Sequence, residues 1–352
     1  MPGRVNLIGE HLDYNGGPVL PMAVDKHLTL KVRRRDDAEI HVWSQFGKAS
    51  FPTAVQPGEV DGWAALLAGV VWALSDSWGN GAVPGADLVI ESEIPDGAGL
   101  SSSAATACIV AMALADLAGR ELSPIDAAKI GRRSENDYIG VPVGIMDQMA
   151  VVHDGASLLD TVTLDVTPVE IGWTDAGLSL VVVDTNVKHS LASTEYRVRH
   201  EECTRAAEAL GLEWLAQAGP DAVLKFDDTD VLKKRVRHVV TETTRVRGAV
   251  RAIAAQEWSQ LGGMFTSSHA SMRDDFEISS AELDLAVDTA LEAGALGARM
   301  TGGGFGGSAI ALAPTESLVG LRDQVVAAFA ARDYTPPNLF TVRPSRGAHR
   351  VD

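Results

Sequence analysis

The sequence predicts a two-domain protein in which strands and helices are mixed, on the basis of three observations. Its 352 residues are enough for about two ordinary domains. Hydrophobic residues make up 46% and charged residues 22% of the chain, the balance of a globular protein. Strand and helix signals alternate in the first half, whereas the second half is mostly helical. We expect the boundary near Trp173, which gives domains 1–173 and 174–352.

In the first half, local patterns predict a strand region at 19–33 and a short strand at 86–91. Helices are predicted where apolar or alanine-rich stretches reach helical length, at 63–74 and 101–117. Another helix is expected at 124–139, because a proline suits its first turn and a glycine follows its end.

In the second half, the continuous β-branched run at 178–184 predicts a buried strand. Three helices are expected, at 196–210, 231–261 and 280–293, the last with Ser279 or Ser280 as its cap. A glycine-rich loop at 302–307 is followed by a predicted strand at 308–312.

The composition limits the partners and the compartment. A formal net charge of −17 argues against nucleic acid, because an acidic surface repels the phosphate backbone. Any phosphate-bearing ligand must therefore find local positive potential, from backbone amides, a helix N-terminus or a metal. No apolar run approaches the roughly 20 residues of a membrane-spanning helix, and no leader is visible. Cys108 and Cys203 form no motif, so we expect a reduced, cytoplasmic protein without a membrane partner.

The first chemical motif is the segment 3–14, Gly-Arg-Val-Asn-Leu-Ile-Gly-Glu-His-Leu-Asp-Tyr. It contains one arginine, Arg4, and three groups that can hold sugar hydroxyls in fixed directions: Glu10, His11 and Asp13. Taken alone, a Glu-His-x-Asp pattern is more often a charged, solvated turn.

The second motif is the segment 95–105, Pro-Asp-Gly-Ala-Gly-Leu-Ser-Ser-Ser-Ala-Ala. Its glycines let consecutive N–H groups point into one concavity, and the following helix adds unpaired amides and the positive end of its dipole. Both features favour phosphate, and small serines can offer a hydroxyl to a metal. An ordinary turn with serine caps is the alternative. A Walker-type loop is excluded, because no Gly-Lys-Ser/Thr follows.

The third motif, Met-Thr-Gly-Gly-Gly-Phe-Gly-Gly at 300–307, has the G-x-G-x-x-G spacing. A strand rather than a helix is predicted after it, which argues against dinucleotide binding, and no Val-Ala-Ile-Lys strand of a protein kinase follows. Close backbone packing near a ligand is the expected role. Between the motifs, Asp147 is either a helix cap or a functional carboxylate, and Glu135 on a predicted helix is by default a surface charge.

Together these segments resemble the GHMP small-molecule kinases, which share the glycine-serine loop and the Thr-Gly-Gly-Gly-Phe-Gly-Gly loop in this order. Within that superfamily, segment 3–14 is similar to the signature of the galactokinases, and further stretches agree with them: 144–148, 184–190, 193–196 and 268–275. The resemblance covers nearly the whole chain.

The resemblance implies a two-domain α+β kinase fold, with an N-terminal domain like domain 2 of ribosomal protein S5 and a ferredoxin-like C-terminal domain. The active site would lie in the cleft between them. It also implies the galactokinase reaction, in which ATP and α-D-galactose give ADP and α-D-galactose 1-phosphate, the first committed step of galactose catabolism (the Leloir pathway). ATP would be the co-substrate and Mg²⁺ the metal, and a monomer is expected.

The site residues implied by the resemblance are carried over position by position. Galactose would be held by Glu10, His11 and Asp13, with Gly144, Asp147 and Tyr196 nearby. ATP would lie along Gly97, Ala98, Gly99, Leu100, Ser101, Ser102 and Ser103, and Mg²⁺ would be held by Ser103 and Glu135. Asp147 would be the catalytic base or the carboxylate that orients the sugar, and Arg4 the cation facing it. These roles fit phosphoryl transfer, which depends mainly on alignment and charge neutralisation.

Two alternatives stay open on the sequence. An N-acetylgalactosamine kinase needs a roomier pocket around the C2 position of the sugar, which the sequence does not show. A non-catalytic regulator that binds galactose and ATP is described as having a damaged glycine-serine loop. Here residues 101–104 and Asp147 are intact, which disfavours that reading.

One departure from the family pattern lies at the chain start, where Met1 stands in the place of a small residue before Pro-Gly-Arg. Galactokinases have a further segment there, including a first strand, so we expect the N-terminal domain to lack that strand. Arg4 would then lie near a free end that frays, beside a sheet edge without its neighbour.

Overall fold

The computed structural model of the protein describes residues 1–187 and 192–351. Within these residues the strands are β1 (Pro2–Ile8), β2 (Leu20–Arg34), β3 (Glu39–Ser44), β4 (Gly47–Pro52), β5 (Ala86–Ser92), β6 (Ala156–Leu159), β7 (Val166–Val169), β8 (Leu178–Asp184), β9 (Gly297–Thr301), β10 (Ser308–Pro314) and β11 (Asn338–Val342). The helices are α1 (Ala65–Trp78), α2 (Ser102–Ala118), α3 (Pro124–Arg133), α4 (Met146–Val152), α5 (Ala192–Leu210), α6 (Val231–Ala254), α7 (Trp258–Ser271), α8 (Ala281–Glu292) and α9 (Leu318–Ala330).

The strands of the first half form one sheet, in which the order is β4-β3-β5-β2-β6-β7 and β1 pairs with β2. The β3–β5 pair is parallel, and β1 runs antiparallel to β2. Helix α2 packs against β2, and α1 packs against α2. Fully buried side chains such as Leu74, Leu88 and Leu114 fill the space between these elements. The sheet thereby brings β1 next to the start of α2.

The remaining strands form a smaller antiparallel sheet with the order β11-β8-β10-β9. Helices α7 and α8 pack against β9, and α8 also contacts β10. Strand β9 lies near β1 of the larger sheet. A hydrogen bond joins the two strands, in which the Asn6 N–H donates to Thr301 Oγ1 at 3.1 Å. None of the helices in the described ranges is both long enough and apolar enough to span a membrane.

Several predicted elements are confirmed. Strand β8 matches the predicted 178–184, and Ser280 caps α8 by accepting a hydrogen bond from the Leu283 N–H at 3.3 Å. The predicted strand at 308–312 is β10. The domain boundary near Trp173 falls between β7 and β8 and stays a prediction.

One helix prediction is wrong, and another is confirmed in its bounds but differs in helix type over its last six residues. The single helix expected at 231–261 is two helices, α6 and α7, because Gln256 takes a left-handed φ of 57° and breaks the helical path. The helix expected at 124–139 ends as α3 at Arg133 and continues as a π-helical turn, Ser134–Ile139. Such turns are frequent at functional sites.

The chain start is ordered within the larger sheet. The Met1 ammonium donates to the Leu28 carbonyl at 3.0 Å, and the Leu28 N–H donates to the Met1 carbonyl at 2.7 Å. Arg4 is 3% exposed and lies inside β1. The structure therefore corrects the expectation that Arg4 lies in a fraying end.

A buried histidine on α6 should make the stability of this fold pH-dependent. His238 is fully buried, with Nδ1 2.9 Å from Ser271 Oγ and Nε2 3.2 Å from the Glu10 carbonyl oxygen. Burial lowers the pKa of His238 to about 4. A lowered histidine pKa contributes stability that is present above the unfolded pKa and is lost as the pH falls towards the folded pKa.

We therefore predict that His238→Gln removes one source of acid destabilisation. Between pH 7 and pH 5, the wild-type protein should lose about 2 kcal/mol of unfolding free energy that the variant does not lose. Urea unfolding of both proteins at the two pH values measures this, with His41→Gln on β3 as the control. A difference between wild type and variant that does not change with pH would contradict the prediction.

Candidate active site

Two cavities meet at Asp147. The larger has a volume of about 460 Å³ and lies beside β2, β5 and the start of α2. The smaller has a volume of about 270 Å³ and lies between the segment that follows β1 and the loop 302–305. Asp147 and Glu135 line both cavities. A ligand in either cavity can therefore reach the same carboxylates.

The Asp147 carboxylate, in the first turn of α4, is fixed by a bidentate ion pair with Arg4 on β1. Arg4 Nε donates to Oδ1 at 2.8 Å and Nη2 donates to Oδ2 at 2.7 Å. Ser101 Oγ also donates to Oδ2, at 2.6 Å. Side chains in such fork-to-fork pairs hold a defined geometry. The Asp147 side chain is 33% exposed and the Arg4 side chain only 4%, so Asp147 presents the open side of the pair to the cavities.

The glycine-serine loop is bent so that its carbonyls face the protein. Gly97, Gly99 and Ser101 all have positive φ angles, of 76°, 70° and 59°. The Gly99 carbonyl accepts from Arg4 Nη1, and the Leu100 carbonyl accepts from the Arg4 N–H at 3.1 Å. Helix α2 begins directly after this loop, and Ser102 and Ser103 line the larger cavity. Its first N–H groups lack helical partners and carry the positive end of the dipole, which suits an anion.

Glu135 lies on the π-helical turn and is only 9% exposed. The default interpretation of Glu135 as a surface charge is therefore wrong. Its Oε2 accepts a hydrogen bond from Gln148 Nε2 at 3.0 Å, and Ser103, which lines the same cavity, has its hydroxyl beside the carboxylate. Burial raises the pKa of Glu135 to about 7. Glu135 and Ser103 thus place a carboxylate and a hydroxyl side by side at the wall of the larger cavity.

Glu10 and His11 form the floor of the smaller cavity. Glu10 is 1% exposed; its Oε1 accepts from the Gly302 N–H at 3.1 Å, and its Oε2 accepts from Arg299. His11 Nε2 is 3.0 Å from the Gly303 carbonyl oxygen, and Nδ1 is 2.7 Å from the Tyr14 hydroxyl. Because a carbonyl only accepts, this geometry assigns the hydrogen to Nε2. Burial lowers the pKa of His11 to about 3, so the ring is neutral.

Asp13, Gly144 and Tyr196 form the wall of the smaller cavity. Asp13 Oδ2 accepts from the Met146 N–H at 3.3 Å, and burial raises the pKa of Asp13 to about 6, with the charge of Asp147 adding to the rise. Tyr196 lines the same cavity beside the backbone of Gly144. A Cβ at position 144 would lie 1.7 Å from Asp13 Oδ2. The absence of a side chain at Gly144 is therefore what leaves room for Asp13.

The structure brings all the residues predicted from the sequence to these two cavities or to the loop between them, and it adds others. Trp63 and Phe46, with ring centroids 6.2 Å apart, line an apolar part of the larger cavity. Trp63 begins the stretch 63–74, which is predicted as a helix from its apolar content and length, and neither property marks a ligand site. Arg299 is a second residue that the sequence reading missed. Residues 188–190, part of one stretch that resembles galactokinases, lie outside the described residues.

Three family models match the chain. They are the GHMP kinases N terminal domain at residues 65–155, the GHMP kinases C terminal domain at residues 249–331, and the galactokinase galactose-binding signature at residues 2–34. The signature match includes Arg4, Glu10, His11 and Asp13. The N-terminal domain match includes the glycine-serine loop, Glu135 and Asp147.

Relatives match over nearly the full length. The chain is 42% identical to a galactokinase of Streptomyces coelicolor, covering 99% of this chain and 93% of the relative. It is 38% identical to a galactokinase of Mycobacterium tuberculosis, covering 99% and 97%. Its fold matches the crystal structure of Lactococcus lactis galactokinase complexed with galactose with a TM-score of 0.91, at 33% identity over 99% and 94% of the two chains. The fold is also similar to that of Methanococcus jannaschii mevalonate kinase, with a TM-score of 0.68 at 19% identity.

The two-domain family matches and the shared fold make the chain a GHMP kinase. The signature match and the full-length identities narrow this further: the chain belongs to the galactokinase family of ATP-dependent sugar kinases.

We predict that the close approach of Gly144 and Asp13 makes their substitutions strongly coupled. Gly144→Ala should lower the unfolding free energy by about 1–3 kcal/mol, because the new methyl group overlaps the Asp13 carboxylate. In the background of Asp13→Ala the same change should cost less than about 0.5 kcal/mol. Gly219→Ala, whose added Cβ would have no neighbour within 4 Å, is the control. Equal costs in both backgrounds, measured by chemical denaturation, would refute the proposed contact.

Proposed function

We propose that the chain transfers the γ-phosphoryl group of ATP to the anomeric hydroxyl of α-D-galactose, which yields ADP and α-D-galactose 1-phosphate, the first committed step of galactose catabolism. The observation that carries this proposal is the position of Asp147 where the two cavities meet. A sugar in the smaller cavity and a nucleotide in the larger cavity would face each other across this carboxylate. Galactose is the ligand named for the Lactococcus lactis structure.

The smaller cavity is the proposed sugar site. Carboxylates accept from sugar hydroxyls, and the donors around them fix the direction in which their remaining lone pairs point. Glu10 and Asp13 each accept backbone N–H groups, which hold these oxygens in place, and His11 is held by Tyr14 and Gly303. Gly144 and Tyr196 would complete the wall. A site built in this way from buried polar groups discriminates against sugars that leave those groups unpaired.

The larger cavity is the proposed nucleotide site. The phosphates would lie along residues 97–103, where the start of α2 offers N–H groups and the positive end of its dipole. The aromatic side chains of Trp63 and Phe46 supply an apolar wall for the base. This arrangement gives a polyanion a favourable local potential on a chain whose net charge is −17.

Ser103 and Glu135 are the proposed ligands of Mg²⁺. This ion prefers oxygen ligands and is usually bound through one or two carboxylates together with substrate phosphates and water. A carboxylate beside a hydroxyl at the wall of the larger cavity fits that donor set. A nearby divalent cation would favour the carboxylate form of Glu135, whose pKa burial raises to about 7. The bound ion would neutralise charge on the phosphate oxygens.

Arg4 and Asp147 are the proposed catalytic residues. Asp147 would accept the proton of the anomeric hydroxyl or orient that hydroxyl for attack, and the hydrogen bonds from Arg4 and Ser101 already fix its geometry. Arg4 would stabilise negative charge that develops around the transferred group. Alignment and charge stabilisation are the main requirements of phosphoryl transfer.

We also propose that units 1–173 and 174–352 are the two domains, with the site between them. The separation of β1–β7 and β8–β11 into two sheets supports this division. The acidic net charge supports a protein that binds neither nucleic acid nor membrane. A cytoplasmic location agrees with the cysteine content, and we propose that the protein is a monomer.

The proposed reaction is tested by ATP turnover with Mg²⁺ across a sugar panel of galactose, glucose, N-acetylgalactosamine and mevalonate. We expect turnover with galactose well above the others, with a product that NMR identifies as phosphorylated at C1. Preferred turnover of N-acetylgalactosamine would assign the chain to the alternative sugar kinase. ATP and galactose binding without turnover would favour a non-catalytic regulator.

We predict that Asp147→Asn abolishes turnover while galactose binding persists within a few-fold, because the role of Asp147 lies in the chemical step. Calorimetric titration with galactose and a coupled ADP assay measure the two properties separately. Asp137→Asn, at an exposed carboxylate nearby in the chain, is the control. Full activity in Asp147→Asn would remove the residue from the mechanism.

We predict that Arg4→Ala lowers the turnover rate on the order of 10³-fold, by analogy with other charge-stabilising arginines. Arg4→Lys should recover little of the rate, because a lysine cannot form the bidentate pair with Asp147. Arg33→Ala, at an exposed position on β2, should leave the rate unchanged. A loss of only a few-fold in Arg4→Ala would mean that magnesium and the loop amides suffice.

A further inference from the structure

A fully buried arginine on β9 supports the sugar site from behind. Arg299 is 0% exposed, and its Nη1 donates to the Leu7 carbonyl at 2.7 Å. Its Nη2 donates to Oε2 of Glu10, the carboxylate at the floor of the smaller cavity. The other oxygen of Glu10 accepts from the Gly302 N–H at 3.1 Å, and Gly302 is the residue that directly follows β9. Both oxygens of Glu10 are thus held by groups from one short segment of the chain.

Arg299 is itself held by a second buried carboxylate, Glu242 on α6. The Arg299 Nη2 atom lies 3.6 Å from Glu242 Oε1, and both side chains are fully buried. Glu242 in turn accepts from the Gly9 N–H at 3.0 Å, from Ser268 Oγ at 2.6 Å and from Arg245 Nε at 2.6 Å. These side chains form a row of alternating negative and positive charges that leads from the smaller cavity to α6. In order, the row consists of Glu10, Arg299, Glu242 and Arg245.

We propose that Arg299 is a positioning residue for sugar recognition, which fixes the Glu10 carboxylate so that its remaining lone pairs face the smaller cavity. The inference rests on the proposed function, because it assigns Glu10 to the sugar. It concerns affinity for the sugar and not the phosphoryl transfer step, since among the described residues the hydrogen bonds and ion pairs of Arg299 go to neither Asp147 nor the glycine-serine loop.

Stability alone does not account for this arrangement. A buried ion pair is often no more stabilising than well-packed apolar side chains of the same volume, because both charges lose their hydration. A guanidinium also brings geometry that an apolar side chain lacks, since its planar fork points at two acceptors at once. Here those acceptors are the backbone at Leu7 and the carboxylate of Glu10. Burial raises the pKa of Glu10 to about 7, while Arg299 acts in the opposite direction and favours the charged form that accepts hydrogen bonds.

The test compares Arg299→Met, which keeps an unbranched apolar stem but removes the charged guanidinium, with Arg299→Lys, which keeps the charge but loses the planar fork. The matched control is Arg235→Met, which removes another buried, ion-paired arginine, bound to Glu202 and Glu277. For each protein, KM is measured for galactose and for ATP, together with kcat and the dissociation constant of galactose. Thermal unfolding reports the general loss of stability.

We expect Arg299→Met to raise the galactose KM and dissociation constant at least about tenfold, with the ATP KM within about twofold of wild type. Arg299→Lys should show a smaller rise, of about threefold or more, again for galactose alone. Arg235→Met should lose stability without a selective effect on galactose. The split between galactose and ATP is the readout that a merely structural role would not produce.

Two results would overturn the inference: an unchanged galactose KM in Arg299→Met, or equal rises in the KM values for galactose and ATP. If Arg299→Met does not fold, Arg299→Lys decides the question, and an unchanged galactose KM in that variant overturns it. A wild-type protein that neither binds nor phosphorylates galactose would instead refute the proposed function, and the inference with it. If the wild-type protein phosphorylates galactose and the Arg299 variants keep its galactose KM, the inference is refuted and the proposed function stands.

Discussion

The ion pair between Arg4 and Asp147 is the interaction on which the rest of the proposed site depends. It joins β1, at the start of the chain, to the first turn of α4. Arg4 also binds the carbonyls of Gly99 and Leu100, through its side chain and its backbone N–H, so the same residue fixes the bend of the glycine-serine loop. Because Arg4 is buried and Asp147 is partly exposed, the pair has one side anchored in the protein and one side open to ligands.

The second constraint is electrostatic. The proposed ligand ATP is a polyanion, whereas the chain has a net charge of −17. An excess of basic residues therefore cannot be what attracts ATP to the site. Backbone amides and the dipole at the start of α2 supply positive potential without adding charged side chains. Around the smaller cavity, the buried carboxylates of Glu10 and Asp13 accept hydrogen bonds from backbone N–H groups, and Glu10 also accepts from the guanidinium of Arg299. Polar groups held in this way keep their geometry without mobile side chains.

The residues that line the two cavities could be predicted from the sequence more completely than the elements around them. Motifs of consecutive residues, such as 95–105 and 300–307, carry their conformation locally through glycines, so their positions could be inferred. Strand β8 was predictable for the same reason, as a continuous β-branched run. Trp63 and Arg299 could not be found in this way, because their roles come from contacts with residues far away in the chain. The break between α6 and α7 depends on the left-handed φ of Gln256. A glutamine gives no signal for that conformation in the sequence, because glycine and asparagine are the residues that usually adopt it.

The most direct test of the central claim is a crystal structure with galactose, a non-hydrolysable ATP analogue and Mg²⁺. We predict galactose in the smaller cavity, with its anomeric oxygen in contact with Asp147. The nucleotide should lie in the larger cavity with its phosphates along residues 97–103. The γ-phosphorus should lie within about 3.5 Å of that oxygen, the separation of reacting atoms in a near-attack geometry. A different sugar hydroxyl at Asp147, or a nucleotide bound outside the larger cavity, would contradict the central claim.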